Sequence, residues 1–158
     1  MSISEQKPRG LYYEDFETGE RLLTPWRTIT QTDIVNYACL SGDFNAPHVD
    51  WEFCKKQPYG EPIAHGPLVF AIASGLACQT GMNDGTVVAF LGLDNWRIHL
   101  PVKHGDMIHM AVTPTEKRLT SKGDHGIVTV RREILNQRDE IVQSMDTTSM
   151  YLRRPEAS

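Results

Sequence analysis

The 158-residue chain is 40% hydrophobic and 23% charged, with a net charge of −4 at pH 7. That length supports one domain with its own hydrophobic core, and the charge balance excludes a dedicated nucleic-acid binder, which needs clustered positive charge. No stretch reaches the ~20 consecutive apolar residues of a membrane-spanning helix. The opening MSISEQKPRG lacks the apolar centre of a secretory signal, and Cys39, Cys54 and Cys78 lie far apart without a CxxC spacing. A reducing, cytoplasmic setting without disulfides or structural zinc is therefore expected.

In chain order, residues 1–10 read as a flexible tail and residues 11–153 as a single domain. Residues 11–16 (LYYEDF) predict an aromatic turn packed on the body. Residues 19–29 predict a first strand, with Pro25 marking an edge or a bend. Thr30 and Asp33 form a capping pair before an amphipathic helix that ends near Ser41 and Gly42. A polar loop over 43–62 follows, with one helical turn at 51–55. Residues 66–80 open on Gly66 and Pro67 and carry apolar residues on nearly every face, which predicts a helix buried all round. Strands are predicted at 86–100, 106–114, 126–135 and 140–152, and their short connections favour antiparallel pairing. The class is α+β, an antiparallel sheet around one buried helix.

Chemistry concentrates in SGDFNAPH (41–48) and IAHGPL (63–68). Asp43 and His48 are five apart on a loop stiffened by Pro47. A carboxylate and an imidazole, with reference pKa values of ~3.9 and ~6.5, can hold one water between them and move its protons near neutral pH. The same two side chains also suit a loop cap and an ordinary hydrogen bond. Gly66 at a helix start offers free backbone N–H groups and a positive dipole end to a developing negative charge.

These stretches resemble the MaoC-like hydratase/dehydratase family, which includes the R-specific enoyl-CoA hydratases. The matching residues are Asp43, Asn45 and His48, then Ile63, His65, Gly66 and Leu68. The later LDNWRIHLPVKHGD, with Arg97, Pro101, Val102, Gly105 and Asp106, is similar to the family's strand and hairpin signature. The resemblance runs over residues 12–152. It implies a hot-dog fold, a homodimer or a multiple of dimers with joined sheets, and a CoA-thioester substrate. It also implies hydration of a trans-2-enoyl-CoA to a 3-hydroxyacyl-CoA, with Asp43 and His48 as the catalytic pair and the Gly66 N–H as oxyanion donor. Asn45, His65 and Ser74 would support the site, and neither metal nor other cofactor is required. Trp51, Glu52 and Pro67 depart from the usual pattern and affect the shape of the acyl pocket.

Other candidates are weaker. His99, His104 and His109 recur every five residues, a spacing that alternates faces along a strand and does not make a metal site. Cys78 reads as a small core residue, and Lys103, Arg131 and Arg132 as solvated charges or contacts for a CoA phosphate. Two rival readings share the fold: an acyl-CoA thioesterase, and a non-catalytic acyl-CoA-binding protein.

Overall fold

The computed structural model describes residues 9–155. A single turn of 3-10 helix (Tyr13–Asp15) precedes β1 (Leu22–Leu23), β2 (Arg27–Thr28), α1 (Gln31–Ser41), α2 (Ala46–Val49), α3 (Trp51–Cys54) and α4 (Gly66–Gln79). Four long strands complete the chain: β3 (Val87–Ile98), β4 (Met107–Leu119), β5 (His125–Asn136) and β6 (Ile141–Leu152). The sheet is antiparallel in the order β1-β4-β5-β6-β3, with β2 also on β4. Among the described residues no helix is long and apolar enough to cross a membrane.

The sheet curls around α4. Leu68, Val69, Ile72, Ala73, Leu76 and Ala77 bury one side of that helix. They join Val112, Val128, Val130, Ile134 and Met145 of the sheet in one core. The antiparallel sheet around a long helix is as expected, but burial all round is not. Pro67, Ala71, Gly75, Cys78 and Gln79 are exposed, because a sheet of this width covers one side of a helix and leaves the other open. Cys78 is accordingly exposed and not a core residue.

Other sequence expectations change at their edges. The strand expected over 19–29 is two two-residue pieces on β4. The Thr24 hydroxyl accepts from the Met110 N–H (2.8 Å) and interrupts the ladder just before Pro25. Strand β4 runs past Pro114, where a register shift between Pro114 and Glu116 accommodates the proline. Residues 1–8 of the expected tail lie outside the described residues. Arg9 and Gly10 are held: the Gly10 N–H donates to the Asp84 carbonyl (2.9 Å) and Arg9 pairs with the Asp84 carboxylate (2.6 Å).

On the outer face of β4, His109 is 7% exposed and stacks on Trp26 with ring centroids 3.9 Å apart. Its Nε2 has no partner among the described residues. Burial pushes its pKa below the ordinary value of 6.5; Arg21 acts in the same direction, and Asp139 against it. The unfolded chain therefore takes up this proton first as pH falls. The stabilisation is complete above the unfolded value and is lost as pH drops below it. Melting curves should show wild type losing more Tm between pH 7.5 and 5.5 than His109→Phe. Equal losses would exclude His109 as a source of acid sensitivity.

Candidate active site

Helix α1 begins with the expected capping pair. The Thr30 hydroxyl accepts from the Asp33 N–H, and the Asp33 carboxylate accepts from the Thr30 N–H (2.9 Å). It ends where Gly42 turns left-handed (φ 77°), a conformation open to glycine without strain. That turn throws Asp43 out of the helix axis. Asn45 then precedes α2, a short helix within the expected loop, and Pro47 lies in its first turn. One helical turn carries His48 back over Asp43.

The two side chains approach without touching: His48 Nε2 lies 3.9 Å from Asp43 Oδ2. Each has its other polar atom engaged. Asp43 Oδ1 accepts from the Asn45 backbone N–H (3.2 Å) and side-chain amide (2.6 Å). His48 Nδ1 lies 2.7 Å from the Ile63 carbonyl. A carbonyl only accepts, so Nδ1 carries the proton and Nε2 presents a lone pair. The 3.9 Å gap suits a water oxygen ~2.8 Å from each atom. The Asn45 backbone N–H is the main influence holding the Asp43 carboxyl below the usual carboxylate range. The two imidazoles and the Asn45 amide act in the same direction, against partial burial.

His65 lies beneath this pair, 1% exposed. Its Nε2 donates to the Asp43 carbonyl (2.9 Å), and its ring stacks on His48 (3.7 Å) and packs tilted against Tyr37 (4.9 Å). Asp43, His48 and His65 bring ligand-type atoms within 4.8 Å of one another. Because His65 Nε2 is engaged by that carbonyl, only His48 Nε2 and Asp43 Oδ2 remain free at the surface of the cluster. Two donors fall short of the three protein ligands usual even in a catalytic zinc site.

His65 is also the residue before α4, so Gly66 begins that helix directly below the pair. The Gly66 carbonyl accepts from Gln143 Nε2 (2.9 Å), and Gln143 Oε1 accepts from the Trp96 indole (3.0 Å). A register shift in β3 between Asp94 and Arg97, with Asn95 at φ 52°, turns Trp96 inward to make that bond. A Cβ on Gly66 would meet Ile98 Cδ1 at 2.4 Å. Neither Gln143 nor Trp96 was identified from sequence. The signal was present: Gln143 interrupts an inward-facing run of β6, and a buried amide requires partners.

The remaining candidates separate. Ser74 lies two helical turns beyond Gly66, ~12 Å along the axis, and away from the Asp43–His48 pair within one chain. His99 bonds Ser144 (2.8 Å), His104 accepts from the Gln31 N–H (3.1 Å), and His109 stacks on Trp26. Lys103 pairs with Glu61 (3.3 Å) and Arg131 with Asp146 (3.2 Å). Arg132, expected as a solvated charge or a contact for a CoA phosphate, is only 7% exposed and so is not a solvated charge.

A long helix in the curl of an antiparallel sheet, with an Asp/His loop over the helix start, defines a hot-dog domain. Residues 15–134 match the MaoC like domain, and the chain belongs to the MaoC-like dehydratase family. Over 106 residues (67% of this chain) it is 41% identical to Protein MaoC of Klebsiella aerogenes, of which it spans 31%. Over 105 residues it is 32% identical to the (R)-specific enoyl-CoA hydratase of Aeromonas caviae, covering 66% of this chain and 73% of that protein. An Archaeoglobus protein described as a monoamine oxidase regulatory protein superposes with a TM-score of 0.85 at 36% identity, over 92% of this chain and 97% of its own. The fold is shared with a Mycobacterium tuberculosis protein described as a double hot-dog (TM-score 0.80, 22% identity, 94% of this chain and 46% of that one).

Proposed function

We propose that this protein is a hydro-lyase that adds water reversibly across the double bond of a trans-2-enoyl-CoA thioester. The observation that carries the reading is the 3.9 Å gap between His48 Nε2 and Asp43 Oδ2, each with its other polar atom already engaged, above the start of α4. A water in that gap donates one hydrogen to each. His48 Nε2 takes one proton as the oxygen bonds to C3, while the C2–C3 π electrons move toward the thioester oxygen. The Gly66 N–H and the helix dipole stabilise that oxygen. The proton then passes from Nε2 to C2, giving the 3-hydroxyacyl thioester and returning His48 to its starting form. The Asp43 carboxylate holds the water and the transient imidazolium. The (R)-specific hydratase relative supports this reading.

We further place the active unit as a dimer or a multiple of it. Strand β3 is a sheet edge with Val88, Phe90 and Leu91 between 47% and 56% exposed. An apolar edge beside the open side of α4 favours pairing with a second sheet. Light scattering at micromolar concentration should give at least twice the 17.9 kDa chain mass; a monomer would contradict this assembly.

Incubation with a short trans-2-enoyl-CoA should remove the ultraviolet absorbance of the conjugated thioester. Release of free CoA thiol instead would replace this reading with a thioesterase. Tight binding of CoA esters with no turnover of short, medium or branched enoyl-CoAs would replace it with a binding protein.

A further inference from the structure

Arg132 is the most buried charge that the reaction above does not use. It sits on β5 opposite Val112 of β4 and Met145 of β6, both core residues, so its side chain enters the space between sheet and α4. It is 7% exposed, and among the described residues no carboxylate pairs with it and its Nε has no partner. The neighbouring acids are engaged elsewhere: Glu133 faces Arg21 (3.7 Å) and Asp146 faces Arg131 (3.2 Å). The titratable groups near the guanidinium are the Tyr151 phenol and the Cys78 thiol. Its Nε is sealed without a partner while the two terminal nitrogens keep some accessible surface, so the guanidinium presents an unpaired positive charge to the space it faces, where an anion would be favoured.

The space it faces is an open pocket of about 440 Å³, within the range of small-molecule sites, and its β3 side (Val88, Phe90) is the edge proposed above to pair with a second copy. Phe70, Ser74 and Cys78 line it from α4, Phe90 from the edge strand, and Arg132 and Ser149 from the sheet. The Ser74 hydroxyl is buried there without a partner. Gly66, Phe70, Ser74 and Cys78 recur every four residues, so they share one face of α4 that begins where the thioester oxygen would rest. An apolar stretch closed by one guanidinium and hydroxyls fits a carbon chain that ends in one carboxylate, which the planar fork of arginine matches with two parallel bonds. A phosphate carries close to two charges and would leave one unmatched.

Resting on the hydratase reading, we propose that the acyl group is ω-carboxylated: the substrate is the CoA monothioester of an unsaturated dicarboxylic acid, with Arg132 holding the free carboxylate. Ser74 lies ~12 Å along the helix from Gly66, and an extended chain gains ~1.25 Å per carbon, so the matching chain is of medium length, about eight to ten carbons.

Calorimetry with adipyl-, suberyl- and sebacyl-CoA, against hexanoyl-, octanoyl- and decanoyl-CoA, tests the pocket without requiring turnover. At least one ω-carboxylated ester should bind more than tenfold tighter than its neutral match. Arg132→Met should abolish that preference and keep the affinity for neutral chains, and Arg132→Lys should restore it in part. Arg132→Met should melt no lower than wild type, since it removes an unpaired buried charge. Equal binding of the two series by wild type overturns the proposal, as would follow if a carboxylate of a second copy already pairs Arg132. Hydration of neutral enoyl-CoAs in that case leaves the hydratase reading standing. An Arg132-dependent preference in binding without hydration of either enoyl series upholds the pocket and overturns the hydratase.

Discussion

Asp43→Asn and His48→Gln should each lower the rate of enoyl-CoA hydration by at least about a hundredfold, the lower end of what positioned acid–base groups contribute. Asparagine keeps the size of Asp43 and the bond from Asn45 to Oδ1. It removes the charge that holds the water and the imidazolium. Glutamine at 48 keeps a polar side chain facing Ile63 and removes the lone pair at Nε2. Because both act on one water across the 3.9 Å gap, the double variant should lose far less than the product of the single losses. Stopped assays with matched melting curves separate this from unfolding. Full activity in Asp43→Asn would refute the mechanism even with hydration itself confirmed.

The second large effect is expected at His65, a positioning residue. His65→Leu removes the donor to the Asp43 carbonyl and the ring between His48 and Tyr37. Stranding a polar group costs about 1–3 kcal/mol, so Tm should fall by several degrees. The rate should fall in kcat more than in KM, because the catalytic loop loosens while the thioester site at Gly66 stays. A purely structural role would stop there. The His65 imidazole also helps to depress the Asp43 pKa. Losing that imidazole should raise the pKa of Asp43, so its carboxylate, followed by carbon NMR, should titrate at higher pH in His65→Leu than in wild type. An unmoved titration, with kcat recovered once stability is restored, would reduce His65 to packing.

How far the sequence could be read depended on whether the controlling interaction was local. Helix α1 was legible because Thr30 and Asp33 cap it within one turn and Gly42 ends it with a left-handed residue. The strands were legible because alternation and turn residues are short-range signals. Helix α2 was not, since four residues carry too little periodicity; Asn45, Pro47 and the packing of Cys54 under the Ala46 and Pro47 carbonyls define it. Cys78 as a core residue and Arg132 as a solvated charge were misplaced for one reason. Their exposure depends on which side of α4 the sheet covers, and no neighbour in sequence encodes that.

By itself, then, the sequence determined the α+β class, the helix beginning at Gly66 and the candidate residues Asp43, His48 and Gly66. Caps, periodicity and motif spacing act over a few residues and survive as a linear pattern. Tertiary structure alone decided that the Ile63 carbonyl occupies His48 Nδ1, leaving Nε2 facing Asp43 Oδ2. It also placed Gln143 and Trp96 under the helix start and enclosed Arg132 without a partner. These contacts join segments up to 77 residues apart. Hydrogen-bond direction and burial are set by the packed neighbours, so they exist only once the sheet has closed over α4.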